Sequence, residues 1–200
     1  MSEAFDALKA REQASVMSTY GRYPLAVASA GGCRLRDLDG REYIDLLAGI
    51  AVCNLGHCHP EVADVVAQKA RELVHVSNVF YQREQVELAE ALKATCHMGK
   101  VFFCNSGAEA NEGAIKLARR YMRTVKNRDA YEIITLTKSF HGRTLATLTA
   151  TGQDKIKFGF DPLPEGFATV EAGDIEALRA AVSDKTAAVL LECIQGEGGV

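Results

Sequence analysis

The chain has 200 residues, of which 48% are hydrophobic and 24% are charged, and its formal net charge is −3. This composition is that of a globular protein with a sizeable core, and the dispersed basic residues do not favour a nucleic acid or a membrane surface as partner. No apolar run reaches membrane-spanning length. The first residues are charged and lack an apolar signal core, so we expect a cytoplasmic protein whose six cysteines are reduced.

The first part of the chain predicts a helix followed by a β-hairpin. The helix covers residues 3–19. Residues 33–38 and 41–46 are predicted strands, joined by Asp39-Gly40, which is a favoured two-residue turn because it accepts positive φ. Alternation along the strands indicates one buried face, made by Leu35, Asp37, Tyr43 and Asp45.

A loop of small residues then leads into a second helix. The loop covers residues 48–59, and Pro60 suits the first turn of the helix. The apolar stripe predicted to be buried consists of Val62, Val65, Val66, Ala70 and Leu73. His57 and His59 flank Cys58, but no complementary ligand pair lies at a usable spacing, so hydrogen bonding is favoured over a metal site.

Two further helices are expected in the middle of the chain. The first covers residues 84–96 and should bury Val86, Ala89 and Leu92. The second follows a short apolar strand that begins at Val101, and Ser106 and Glu109 have the spacing of a capping box at its start. The face that this second helix should bury consists of Ala114, Leu117, Ala118 and Tyr121.

The turn at Ser106, Gly107 and Ala108 allows two interpretations. A hydroxyl and backbone N–H groups at a helix N-terminus suit an anion such as phosphate, because the small side chains let it approach the backbone. Alternatively, Ser106 only caps its helix. The turn alone supports both interpretations equally.

The second half of the chain alternates strands with helices, which predicts a largely parallel sheet. Residues 131–137 form one strand, and residues 186–192 are a continuous apolar run typical of a strand buried on both faces. Residues 144–151 could form a strand by propensity or a helix after the preceding turn. Asp174 is predicted to cap a short helix. The residues of that helix expected to face inward are Ile175, Leu178 and Val182. Because the chain stops on a glycine-rich turn, we expect it to be the front part of a longer polypeptide.

Residues whose side chains could bind a ligand or take part in a reaction follow three of the predicted strands, at the edge where an open α/β sheet binds its ligand. Ser106 follows the first strand, Phe140 and Arg143 follow the second, and Glu192 and Glu197 follow the third. Each has a structural alternative, as a helix cap, a core aromatic, a surface cation or a solvated acid. Their convergence at one edge favours a binding site.

Five short motifs occur in order along the chain. They are AsnLeuGlyHisCysHisPro at 54–60, HisValSerAsn at 75–78, SerGlyAlaGluAlaAsn at 106–111, PheHisGlyArg at 140–143 and GluCysIleGlnGlyGluGlyGly at 192–199. Together they resemble the class III, ornithine-type aminotransferases. The resemblance implies the type I fold of pyridoxal-phosphate-dependent transferases, a mostly parallel α/β sheet with helices on both faces. Residues 1–50 would then be an N-terminal segment of a small α+β domain, and residues 51–200 the first part of the large cofactor-binding domain.

The resemblance also implies residues that hold the cofactor, pyridoxal 5′-phosphate. Ser106, Gly107 and Ala108 would hold its phosphate at the helix N-terminus. Phe140 would stack on its pyridine ring, and Glu192 would help to arrange the ring site.

Further residues would serve the substrate by the same resemblance. Arg143 would bind the substrate α-carboxylate through a two-pronged contact that lysine could not reproduce. Glu197 resembles the gating acid of the family, which pairs with an arginine further along the chain. His141 would pack and hydrogen-bond beside the cofactor.

Within the family, the resemblance is strongest to enzymes that move the amino group of N2-acetylornithine to 2-oxoglutarate in arginine biosynthesis. Family enzymes for free ornithine place a tyrosine at the position of Ile50, and an apolar residue suits a capped, neutral side chain better than a free ammonium. Ornithine, succinylornithine and 4-aminobutyrate are the alternative amino donors.

The family chemistry also needs a lysine that binds the cofactor covalently and an aspartate that pairs with its pyridinium nitrogen. Both are expected beyond residue 200, since neither Lys116 nor Lys138 lies in the lysine context of the family. The resemblance implies a homodimer that acts on small amino acids and 2-oxo acids. The alternative from another class is a truncated, non-catalytic chain that binds phosphate compounds.

Overall fold

The computed structural model describes residues 2–199, which divide into two compact units between Gln82 and Arg83. The first unit contains α1 (Glu3–Ser15), β1 (Val27–Gly31), β2 (Arg34–Asp37), β3 (Glu42–Ile44), α2 (Ala48–Ala51) and α3 (Pro60–Glu72). The second contains α4 (Arg83–Ala94), α5 (Gly107–Thr124), β4 (Glu132–Leu136), α6 (Leu145–Ala150), β5 (Phe167–Val170), α7 (Ile175–Ala181) and β6 (Thr186–Val189). The sheet of the first unit is antiparallel and that of the second is parallel.

The antiparallel sheet confirms the predicted hairpin, with Leu35 of β2 opposite Tyr43 of β3. The predicted two-residue turn is wrong, because the N–H of Asp37 donates to the carbonyl of Arg41 and three residues, 38–40, connect the strands. β1 adds a third strand that the sequence pattern did not predict. Buried Asp37 holds the turn by accepting hydrogen bonds from the N–H groups of Asp39 and Arg41, at 2.9 and 2.8 Å, and from the hydroxyl of Tyr43, at 2.9 Å. Burial raises the pKa of Asp37, but these hydrogen bonds outweigh that effect and lower it. The predicted buried face is confirmed on β2 and wrong at Tyr43, which is exposed.

The two longer helices of the first unit begin at residues suited to a helix N-terminus. The hydroxyl of Ser2 accepts from the N–H of Phe5 at 3.3 Å and caps α1. α1 ends at Ser15, earlier than the predicted residue 19, because Val16 adopts an extended conformation. α3 begins at Pro60 as predicted.

The predicted loop at residues 48–59 contains one helical turn, α2, with a left-handed backbone. Ala48, Gly49, Ile50 and Ala51 have φ values of 50°, 63°, 58° and 60°. A residue other than glycine in this region costs roughly 1–2 kcal/mol, so α2 requires support from its surroundings.

The parallel sheet of the second unit has the strand order β5-β4-β6. Ile133 in the middle strand lies opposite Phe167 of β5 and Ala188 of β6. Because β4 has a neighbour on each side, Ile133, Ile134 and Thr135 are buried and form the centre of the core. This confirms the two predicted strands and their parallel arrangement, while β5 is an additional short strand.

The structure decides the two uncertain segments of this unit. Of residues 144–151, the six from Leu145 to Ala150 form α6, in which Thr147, Leu148 and Ala150 are buried, so packing outweighs the strand propensity of this segment. The strand predicted from Val101 is wrong, because no described residue pairs with that segment in a sheet. A strand needs a neighbour for its backbone N–H and C=O groups.

Most of the predicted buried faces are not covered by any residue between 2 and 199. On α5 the buried side chains are Ile115 and Met122, so the predicted face was misplaced around the helix axis. The predicted residues that are exposed are Val62, Val65, Val66, Ala70, Leu73, Val86, Leu92, Ala114, Leu117, Tyr121, Ile175 and Val182. Those that are half-buried are Ala89, Ala118 and Leu178. The prediction that β6 is enclosed on both faces is also wrong, because its residues are half-buried or exposed.

Candidate functional site

The first component of the site is the N-terminus of α5. Ser106 has an extended backbone, and its hydroxyl accepts from the N–H of Glu109 at 3.1 Å, which confirms the predicted cap. The Glu109 carboxylate accepts from the N–H of Asn105 at 2.7 Å, one residue before the position that a capping box requires. The N–H groups of Gly107 and Ala108 lie in the first turn, where a helix offers them no acceptor. They can therefore donate to a bound anion.

Gly142 brings the loop after β4 against this helix end. Its φ is +131°, and a Cβ atom on it would lie 2.6 Å from the hydroxyl of Thr147 and 2.9 Å from the Cβ of Ala108. Only glycine permits so close an approach with this backbone conformation. The side-chain amide of Asn111 adds a second link by donating to the carbonyl of His141 at 2.8 Å.

Phe140 and Arg143 lie on the same loop. The guanidinium carbon of Arg143 is 5.7 Å from the ring centroid of Phe140, a cation–π distance. The N–H of Phe140 donates to a carboxylate oxygen of Glu192 at 2.9 Å, which joins the segment after β6 to the site. The structure thus brings together residues that follow β4 and β6 and the residues that open α5. We call this group the strand-end cluster; it consists of Ser106, Gly107, Ala108, Phe140, Arg143 and Glu192.

Two buried polar side chains accompany the strand-end cluster. Nε2 of His141 and Oε1 of Gln195 have no hydrogen-bond partner among the described residues. Burial lowers the pKa of His141 below its usual 6.5, and the nearby Glu192 carboxylate opposes part of this shift. His141 is therefore neutral at neutral pH. The side-chain amide of Gln195 donates to the carbonyl of Thr137 at 2.9 Å. Gln195 was not among the predicted site residues, and its place in the motif at 192–199 is the signal that could have found it.

The remaining two predicted site residues are Glu197 and Ile50. Glu197 is exposed and has no hydrogen bond or ion pair with another residue that the structure describes. Ile50 belongs to the first unit, where its side chain is 78% exposed. In that unit, Nε2 of His57 lies 2.6 Å from a carboxylate oxygen of Asp45, so this histidine makes a hydrogen bond as predicted. The same prediction is not met at His59, whose Nδ1 is buried without a hydrogen-bond partner among the described residues.

Two other kinds of site are absent from the described residues. Within residues 2–199, no three histidine, cysteine, aspartate or glutamate side chains are grouped to hold a metal ion. In the same part of the chain, no helix combines the length and apolarity needed to cross a membrane.

The sequence matches the profile of a family described as aminotransferase class III over residues 16–200. The chain belongs to the class III aminotransferases. This match confirms the family that the five motifs indicated, whose members use pyridoxal phosphate.

Similar class III proteins include two acetylornithine aminotransferases. That of Gloeobacter violaceus is 57% identical over 185 residues, which cover 92% of this chain and 46% of the relative. That of Myxococcus xanthus is 51% identical over 195 residues, which cover 98% of this chain and 49% of the relative. The chain therefore spans about half the length of these relatives.

A solved structure supports the same fold. The ornithine aminotransferase of Toxoplasma gondii, whose active site holds pyridoxal phosphate at partial occupancy, has a TM-score of 0.91 and 30% sequence identity to this chain. The match covers 98% of this chain and 46% of that one. It confirms the predicted α/β fold with a parallel sheet.

Proposed function

We propose that the polypeptide to which this chain belongs is an aminotransferase that transfers the amino group of N2-acetylornithine to 2-oxoglutarate. The products would be N-acetylglutamate 5-semialdehyde and glutamate. The observation that carries the proposal is the strand-end cluster, which joins an anion-binding turn, an aromatic ring, a guanidinium and a carboxylate. Similarity to the two acetylornithine aminotransferases supports the choice of amino donor.

The start of α5 suits the phosphate of pyridoxal phosphate. Ser106, Gly107 and Ala108 present a hydroxyl and two N–H groups at the positive end of an 18-residue helix. A Cβ atom on Gly107 would meet no atom within 4 Å, so an anion has room to approach the backbone. The Ser106 hydroxyl can donate to phosphate while it still accepts from the N–H of Glu109.

The residues after β4 and β6 suit the cofactor ring. Phe140 offers a half-buried aromatic face, and its backbone N–H fixes the carboxylate of Glu192. His141 contributes a buried ring nitrogen that has no partner within residues 2–199. When bound, pyridoxal phosphate supplies the electron sink that stabilises negative charge beside the transferred amino group.

Arg143 is the candidate for binding the substrate carboxylate. It is exposed, and the contact that the structure shows for its guanidinium is the ring of Phe140, so its N–H donors remain available for a two-pronged contact. Glu197 is the candidate to pair with an arginine beyond residue 200. That pairing would leave Arg143 free to bind the carboxylate of each substrate in turn.

Ile50 is the candidate for selecting the amino donor. Its side chain is apolar and would accept the neutral N-acetyl end of acetylornithine at a lower desolvation cost than the free ammonium of ornithine. Its exposure in the first unit leaves it accessible to a ligand.

The rest of the proposal concerns the complete polypeptide. The cofactor-binding lysine and the pyridinium-pairing aspartate are proposed beyond residue 200. Residues 1–50 are assigned to a small domain and residues 51–200 to the large cofactor-binding domain, a boundary that differs from the division at Gln82. The uncovered apolar stripes support a homodimer, and the six free thiols are in keeping with the cytoplasm.

The deciding experiment is a transamination assay of the complete polypeptide with pyridoxal phosphate and 2-oxoglutarate. N2-acetylornithine, ornithine, succinylornithine and 4-aminobutyrate are compared as amino donors, and glutamate formation is measured. We expect the highest kcat/KM with N2-acetylornithine. A higher kcat/KM with another donor would identify that donor as the substrate. No transfer from any donor would overturn the proposed activity.

A second experiment tests where the cofactor lysine lies. Pyridoxal phosphate is added to the complete polypeptide, the complex is reduced with borohydride, and the labelled peptide is identified by mass spectrometry. We expect the label on a lysine beyond residue 200. Specific labelling of Lys116 or Lys138 would contradict that placement.

A further inference from the structure

The carboxylate of Asp45 contacts residues on both sides of α2. One carboxylate oxygen accepts from the N–H of Leu47 at 2.8 Å and from the N–H of Ala48 at 3.0 Å. The other carboxylate oxygen lies 2.6 Å from Nε2 of His57. Asp45 therefore binds both the start of the left-handed turn and a residue six positions beyond its end.

The backbone closes this arrangement into a ring. Gly32 and His57 exchange two hydrogen bonds, at 2.9 and 2.8 Å, and the N–H of Asp45 donates to the carbonyl of Cys33 at 2.9 Å. A Cβ atom on Gly56 would come within 3.1 Å of the Cα of Gly32, so these two segments are in tight contact. The segment between Asp45 and His57 is thus anchored at both ends to one part of the sheet.

The conformation that this ring holds is unfavourable by itself. Ala48, Ile50 and Ala51 carry side chains at positive φ, where L-residues are disfavoured. Such a conformation persists only where the surroundings determine it. The Asp45 carboxylate supplies two of these determinants at the first residues of the turn, and His57 orients the carboxylate.

We propose that Asp45 is a positioning residue that fixes α2, sets the direction in which Ile50 is presented, and thereby sets the preference for an N-acylated over a free amino donor. The inference rests on the proposed function, in which Ile50 meets the distal end of the donor. Asp45 itself touches no substrate in this scheme. Its effect passes through the backbone from residue 47 to residue 51.

The test uses Asp45→Ala in the complete polypeptide. Two quantities are measured: the ratio of kcat/KM for N2-acetylornithine to that for ornithine, and amide hydrogen exchange of residues 47–53. We expect the ratio to fall by about tenfold or more, because small displacements of a contact residue have large effects on turnover. Exchange in residues 47–53 should become faster, which a residue needed only for global stability would not confine to this segment.

The matched control is Asp39→Ala, which removes an exposed aspartate of the same unit whose carboxylate lies 3.7 Å from Arg41. It should leave both the ratio and the local exchange unchanged. If Asp45→Ala does not fold, His57→Phe decides, since it removes one anchor of Asp45 and leaves the two N–H contacts in place. It should shift the ratio in the same direction by a smaller factor.

The outcomes separate this inference from the proposed function. Faster exchange of residues 47–53 with an unchanged ratio would show that α2 is held by Asp45 but does not select the donor, and would overturn the inference alone. Unchanged exchange in Asp45→Ala, or in His57→Phe if that variant decides, would overturn it as well. If the unaltered enzyme transfers no amino group from either donor, the proposed function and the inference both fail.

Discussion

Ser106 caps α5 and, in the proposed function, also holds the cofactor phosphate. Ser106→Ala removes the hydroxyl that accepts from Glu109, and we expect a loss of about 1 kcal/mol in the free energy of unfolding. It should also weaken pyridoxal phosphate binding by the complete polypeptide. Urea unfolding and a cofactor titration measure the two effects.

The control for Ser106 is Asp174→Ala. Asp174 caps α7 by accepting from the N–H of Ala177 at 2.8 Å, so its loss should destabilise the protein by a similar amount. It should not alter cofactor affinity. Equal cofactor affinities in the two variants would show that Ser106 is only a cap.

Ile50→Tyr tests the choice of amino donor. A tyrosine hydroxyl can accept a hydrogen bond from the free ammonium of ornithine, an interaction with a charged group that is worth about 1.5–3 kcal/mol. We therefore expect the ratio of kcat/KM to move toward ornithine by about tenfold or more. Val52→Tyr is the control, since Val52 is 80% exposed and only two residues away. A similar shift in both variants, or none in Ile50→Tyr, would count against a role for Ile50.

His141 should give the protein a pH dependence of stability with a definite sign. Burial lowers its pKa below 6.5, so the unfolded chain takes up a proton in acid that the folded chain refuses. The stability advantage of the unaltered protein over His141→Gln should therefore shrink as the pH falls from 8 through 6.5 toward 5.5. Urea unfolding across this range measures it, with His97→Gln as a control that removes an exposed histidine of the same unit. A growing advantage in acid would mean that folded His141 binds the proton.

At the scale of elements, Gly142 fixes the distance between the loop after β4 and the start of α5. Gly142→Ala would place a methyl group against Thr147 and Ala108 at a backbone φ of +131°, so we expect a loss of more than about 1 kcal/mol in the free energy of unfolding. Gly107→Ala is the control, because a Cβ atom there meets nothing within 4 Å. Its stability should be unchanged or slightly higher. Comparable losses in both variants would contradict the close packing at Gly142.

The features that were predicted correctly depend on residues close together in the sequence. The caps Ser106 and Asp174 and Pro60 at a helix start depend on neighbours in the chain, and all are found in the structure. The hairpin is found too, but with a three-residue connection in place of the predicted two-residue turn at Asp39-Gly40. β5 was missed because a four-residue strand carries too short a pattern. The left-handed α2 was missed because the side-chain contacts that Asp45 makes with Leu47, Ala48 and His57 cannot be seen in periodicity.

The strand-end cluster is also predictable only in part. The rule that ligands bind beyond the carboxyl ends of parallel strands places Phe140, Arg143 and Glu192 near one another. It does not show that the N–H of Phe140 donates to Glu192, nor that His141 and Gln195 bury polar atoms without partners in the described part of the chain. Those features depend on the backbone path of two loops, which is settled by packing rather than by residue type.

The sequence predicts apolar stripes on several helices, and the described residues leave most of these stripes uncovered. A stripe of valines along α3 has no local reason to face water, and patches of this kind mark interaction surfaces. We infer that the complete polypeptide, or its partner in a dimer, covers them.

Val66 on α3 provides the test, since its side chain is 61% exposed in this chain. If the complete polypeptide buries it, Val66→Ser should lower the free energy of unfolding by about 1.5 kcal/mol or more, the lower end of the value for burying a valine. Asp64→Ser on the same helix is the control and should change it by no more than about 0.5 kcal/mol. Urea unfolding of the two variants measures the difference. Equally small losses would show that the stripe on α3 stays in water in the complete polypeptide and takes no part in an interface.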